Sequence, residues 1–84
     1  MEKPKYNYGD YVRFEYLVND GEVLNKCGVI EIVDRFGTFF NPNEVSYDIF
    51  VKKEDMLYKH ISELYVKEKL RNARDDERIW KEVP

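Results

Sequence analysis

Residues 9–18 read GDYVRFEYLV. Val12, Phe14, Tyr16 and Val18 fall on one side of an extended chain, while Tyr11, Arg13 and Glu15 fall on the other. Alternation with a period of two over this length predicts a half-buried β-strand, because successive side chains in a strand point to opposite faces. Its outward face then carries Tyr11 and Arg13.

Downstream the same pattern returns. NDGE (19–22) holds an Asp-Gly turn signal, and VLNK (23–26) completes the connection. CGVIEIVD (27–34) is dense in β-branched residues and reads as a second strand, with Gly28 marking a bulge or tight bend. VSYDIFV (45–51) alternates again, with Val45, Tyr47, Ile49 and Val51 on one face. KKED (52–55) is a polar turn, and MLYKHI (56–61) is another short strand. Residues 61–70 admit two readings. Leu57, Tyr58, Ile61, Leu64 and Tyr65 fit helical spacing, whereas YVKEKL (65–70) fits a strand preceded by one 3₁₀ turn at SEL (62–64). The strand reading is preferred, because the preceding pattern asks for a closing strand. The tail RNARDDERIWKEVP (71–84) is rich in helix formers, and Leu70, Ala73, Glu77 and Trp80 fall near one face, with Ile79 beside them.

Composition agrees with a small β domain. The chain has 84 residues, so its core must be dense, and aromatic residues make up 15% of it. A hydrophobic fraction of 43% is too high for a disordered chain. One cysteine, Cys27, excludes an intramolecular disulfide and a multi-thiolate zinc site. The N-terminus has no apolar run of the signal-peptide kind, no stretch approaches a membrane span, and a cytoplasmic setting is expected. Net charge is −3; residues 1–50 hold five Lys/Arg against nine Asp/Glu, and residues 51–84 hold nine against eight. An acidic β-rich portion disfavours nucleic-acid binding, which draws on phosphate neutralisation.

Five short strands separated by polar turns imply a small barrel, since closure removes unprotected edges. The ordered set GDYVRF (9–14), GVIEIV (28–33), YDIF (47–50) and LYKHISELYV (57–66) resembles the SH3-like small barrels, KOW-type ones included, and looks like uncharacterised small proteins of phages and prophages of Gram-positive bacteria. The resemblance spans residues 8–67. It implies a mainly β, five-stranded SH3-like barrel with a 3₁₀ turn before the last strand and no catalytic residues. The expected organisation is a barrel over 1–70 and a short C-terminal helical tail over 71–84.

No constellation for catalysis stands out. His60 is the single histidine, and neither Ser46 nor Ser62 lies in a nucleophile motif. His60 reads as a strand residue hydrogen-bonding nearby. Cys27 reads as a small core hydrophobe. The carboxylates at Glu54–Asp55 and Asp75–Glu77 are interleaved with Lys and Arg, as solvated ion pairs are. No calcium, phosphate-loop or zinc spacing is present, and no cofactor is expected. RFGTFFNPNE (35–44) places Phe36, Phe39 and Phe40 among turn residues. One or two of these rings can cap the open barrel end; any left outside form an apolar patch with Arg35 at its rim. The expectation is a non-enzymatic binding module that recognises a protein partner through Arg35, Phe36, Phe39, Phe40, Tyr11 and Arg13. Its alternative is a nucleic-acid-associated barrel whose basic candidates are Lys52, Lys53 and Lys59, with Lys67, Lys69, Arg71, Arg74 and Arg78 further on, and whose outward aromatics interleaved with Arg can stack on bases.

Overall fold

The computed structural model describes residues 3–35 and 44–78. Phe36, Phe39 and Phe40, and likewise Ile79 and Trp80, lie outside the described residues.

Five strands form one antiparallel sheet in the order β4-β3-β2-β1-β5. They are β1 (Asp10–Leu17), β2 (Val23–Asp34), β3 (Ser46–Val51), β4 (Met56–Ser62) and β5 (Val66–Asn72). The alternation in β1 does what its period predicts: Val12 and Phe14 are fully buried, and their neighbours Tyr11, Arg13 and Glu15 are partly exposed. Val12 and Phe14 join Ile30, Val45, Tyr47, Ile49, Val51, Tyr58, Ile61 and Val66 in a single core on the sheet's inner face. All four residues assigned to one face of the third strand are in that core. Tyr58 meets Phe14 and Tyr16 edge to face, at 5.7 and 4.8 Å between ring centres.

The connections follow local chemistry. At the β1–β2 hairpin, Gly21 adopts φ 88°, and its N–H donates to the Val18 carbonyl at 2.9 Å. Val23–Lys26 is strand, where a connection was expected: it continues β2 opposite Phe14–Leu17. KKED becomes a 3₁₀ turn (Lys52–Glu54), with Asp55 at φ 53° supplying the left-handed residue in place of glycine. The ambiguous stretch resolves into a 3₁₀ turn at Glu63–Tyr65 followed by β5. Ser62 caps that turn by accepting from Leu64 N–H.

Gly28 marks the close approach expected of it. It pairs with Val12 on the inner face, and a Cβ there would stand 2.5 Å from the Phe50 carbonyl oxygen of β3. Two bulges re-aim the neighbouring strands. In β2 the register shifts at Glu31, so Glu31 is buried beside the exposed Ile32. In β4 it shifts at Lys59–His60, where His60 takes φ 58° and its backbone N–H donates to the Asp48 carboxylate at 3.0 Å.

Two expectations are corrected. The sheet is not closed into a barrel: β4 and β5 are its edges. The bulge in β4 and two register irregularities in β5 blunt the two edges. The N-terminal segment spans that side of the core with side-chain contacts. Tyr6 N–H donates to the Tyr47 hydroxyl, which donates to Glu63 at 2.6 Å, and Lys5 N–H donates to the same carboxylate oxygen. The C-terminal helix is reduced, among the described residues, to one 3₁₀ turn at Asp75–Glu77. β5 continues to Asn72 because β1 offers it a ladder, and Ala73 N–H extends that pairing to the Gly9 carbonyl. Arg71 and Asn72, assigned to the tail, are therefore strand residues. A short isolated helix with so few apolar residues does not compete with such pairing.

Candidate binding face

The sheet has a second face, and it is more covered than alternation alone implies. Ser46, Asp48 and Phe50 are buried as well as their inward-facing neighbours. The register aligns Arg71, Tyr11, Val29, Phe50 and Leu57 in one row across five strands, on the side away from the core. Val29 is 1% exposed and Phe50 is 7% exposed.

Residues 73–78 run alongside this face and order its cations. Arg71 forms a bidentate pair with Glu77 at 2.8 and 2.6 Å, and its guanidinium stacks 4.1 Å from the Tyr11 ring centre. Glu77 also accepts from Arg74 N–H and so caps the 3₁₀ turn, which the Glu77 N–H closes by donating to the Arg74 carbonyl. The Arg71 guanidinium, assisted by that N–H, pulls the Glu77 carboxyl down to about 2. Arg78 stacks on Tyr8 at 4.0 Å and stands 3.7 Å from the buried Glu31 carboxylate. Two tyrosine–arginine stacks thus flank the start of β1. Neither arginine was singled out in the sequence for this role, because each is separated from its ring by some sixty residues or more of chain.

The residues singled out from sequence are divided. Tyr11 and Arg13 share the outward side of β1. Arg13 pairs with Glu68 at 2.9 Å and donates to the Asn25 side chain at 3.1 Å. Tyr11 and Asn25 both line a groove of about 700 Å³ whose outward apolar lining is Val29 and Phe50. Arg35 lines a different cleft, of about 410 Å³, with Pro4, Tyr8 and Val33. Phe36, Phe39 and Phe40 fall outside the described residues.

The other candidates acquire definite settings. Cys27 is only partly buried, on the groove wall rather than in the core. Glu54 is more than a solvated carboxylate: it accepts hydrogen bonds from the Tyr58 hydroxyl and from the Lys26 ammonium, the latter at 2.5 Å. The Lys26 contact is the main reason that Glu54 titrates below the ordinary range, and the same contact raises Lys26. This three-residue cluster was not anticipated, since its members lie in β2, the 3₁₀ turn and β4. His60 acts through its backbone, as described above. No group of three or more His, Cys, Asp or Glu among the described residues could hold a metal ion, and no helix among them is long and apolar enough to cross a membrane.

The class defined by this geometry is a five-stranded antiparallel β protein with an aromatic–arginine face beside a lysine-rimmed groove. No family model matches the chain, and no curated protein or solved structure does so either.

Proposed function

We propose that the protein is a non-enzymatic binding module that recognises another protein through the outward face of β1. The observation that carries this reading is the contiguous pairing of tyrosine rings with guanidinium groups at Tyr11–Arg71 and Tyr8–Arg78, with Arg13 alongside. Tyr and Arg are the residue types most enriched at the energetic centres of protein interfaces, because each offers a large rigid contact surface with a polar end. Arg35, which lines a cleft with Tyr8, would extend the contact, and the assignment of Phe36, Phe39 and Phe40 to it rests on the sequence alone.

A nucleic-acid role is the alternative, since the same residues can stack on bases. Electrostatics favour a protein. Arg13, Arg71 and Arg78 each already face a carboxylate, at 2.9, 2.6 and 3.7 Å. Little uncommitted positive charge is left on them to release counterions from a phosphate backbone. The strand order and the 3₁₀ turn before β5 support kinship with SH3-like barrels, from which the open sheet departs; a phage or prophage accessory role rests on the resemblance of the sequence.

Site-specific photo-crosslinking tests the assignment. A benzophenone side chain at position 13 should capture a protein that the same probe at Lys59, on edge strand β4, does not. Replacing Tyr11 by Ala should weaken that complex at least about tenfold, the usual loss at an aromatic interface anchor. Equal capture from both positions would remove the face from consideration. A gel shift with single- or double-stranded probes that weakens steeply with salt would favour the alternative.

A further inference from the structure

We infer that the groove beside Tyr11 binds an extended acidic peptide segment carrying one apolar side chain. This rests on the protein-partner reading above and names the chemistry that the partner presents. The groove encloses about 700 Å³, within the usual size of ligand sites. Its apolar lining on this face is Val29 and Phe50, and Lys26, Lys52 and Lys53 stand around it. Two carboxylates share the lining, Glu54 and Glu77, and both are committed. Glu54 is taken by Lys26 and Tyr58, and Glu77 by the two guanidinium nitrogens of Arg71.

The two remaining lysines are not neutralised to the same degree. Lys52 has Asp76 at 3.8 Å with both side chains more than half exposed, and Lys53 has no ion-pair partner among the described residues. The groove therefore presents positive charge on a chain whose formal net charge is −3. A ligand drawn there from solution carries the opposite sign, because a local patch steers and orients what it meets. An extended peptide suits the layout. Its side chains alternate, so carboxylates on one side can reach Lys52 and Lys53 while an apolar residue on the other enters the base.

The experiment uses the ¹⁵N-labelled full-length chain and three probes: a capped hexapeptide of alternating aspartates with one central phenylalanine, the same peptide with asparagines for aspartates, and a decathymidine oligonucleotide. The acidic peptide should shift the amide signals of Cys27, Val29, Val51, Lys52 and Lys53. It should bind at least tenfold more tightly than its amide counterpart. The variant K52Q/K53Q, with both changes at exposed sites, should keep a dispersed spectrum and bind roughly tenfold more weakly. Equal affinity for the two peptides, shifts located elsewhere, or displacement of the peptide by decathymidine would overturn the inference. So would shifts of the same signals that grow with protein concentration alone, which would give the groove to a second copy of the chain. If K52Q/K53Q loses nothing while the probe at position 13 still captures its partner, the groove assignment fails and the protein-binding reading stands.

Discussion

Replacing Gly28 by Ala puts the sheet's tightest internal approach to the test. The added Cβ would lie 2.5 Å from the Phe50 carbonyl oxygen, 2.9 Å from Ile49 Cγ2 and 3.0 Å from the Phe50 carbonyl carbon. Two of these three atoms are backbone, so no rotamer change relieves the clash. The β3 chain must retreat until the oxygen stands at least 3.0 Å away. Phe50 pairs with Val29 on one side and Leu57 on the other, so the retreat disturbs two ladders at once. Overpacking of a tight interior costs about 1–3 kcal/mol, partly offset by about 0.5 kcal/mol from the stiffer unfolded chain. A net loss of about 2 kcal/mol is expected, a large share of the roughly 4–12 kcal/mol available to a domain of this size. In urea titrations followed by far-ultraviolet circular dichroism, the midpoint should fall by about 1–2 M with an unchanged slope. Gly21→Ala is the control: φ there is 88°, but nothing lies within 4 Å, so backbone strain of about 1 kcal/mol is the whole cost. If Gly28→Ala unfolds at the wild-type midpoint, or later than Gly21→Ala does, the steric argument is wrong.

Three further outcomes are expected. His60→Gly should stabilise the fold by about 1 kcal/mol in the same titration, because it removes a side chain held at φ 58°, whereas Asp48→Ala should cost about 2 kcal/mol by stripping the bulge N–H of its acceptor. The Tyr47 hydroxyl is raised well above the ordinary tyrosine range, chiefly by burial and then by its bond to Glu63. Its contribution is therefore complete below about pH 10 and is lost as pH rises toward the folded value, so alkaline unfolding should begin at lower pH in wild type than in Tyr47→Phe, and absorbance near 295 nm should show one tyrosine that ionises only with unfolding. Glu77 is depressed to about 2, so its contribution is present above the usual carboxylate range and disappears as pH falls through that value; Glu77→Gln should flatten the acid limb of the stability profile and leave it unaltered if the Arg71 pair contributes nothing.

Legibility from sequence tracked the range of the interaction. The five strands, the Asp-Gly hairpin, the polar turn at 52–55 and the 3₁₀ turn near residue 63 all follow from neighbours within a few positions. So did the outward placement of Tyr11 and Arg13, which follows from the parity of Val12 and Phe14. The tail was misread because helix propensity is also local, and the ladder that β1 offers to Arg71 and Asn72 is not visible in it. Barrel closure was inferred from the need to protect edges; the bulges at His60 and in β5 meet that need in another way. Of the face proposed for binding, only the outward placement of Tyr11 and Arg13 was legible. The groove, its lysine rim and the arginine stacks depend on which strands become neighbours.

By itself, then, the sequence determined that the chain is a mainly β protein with Val12, Phe14, Val45, Tyr47, Ile49 and Val51 facing one core, because period-two alternation acts residue by residue. Tertiary structure alone decided that the sheet stays open, that Val29 and Phe50 are covered on its other side, and that Lys26, Glu54 and Tyr58 meet. The physical reason is that burial and charge pairing are properties of register between distant strands, and one bulged residue is enough to reassign the face on which every later side chain lies.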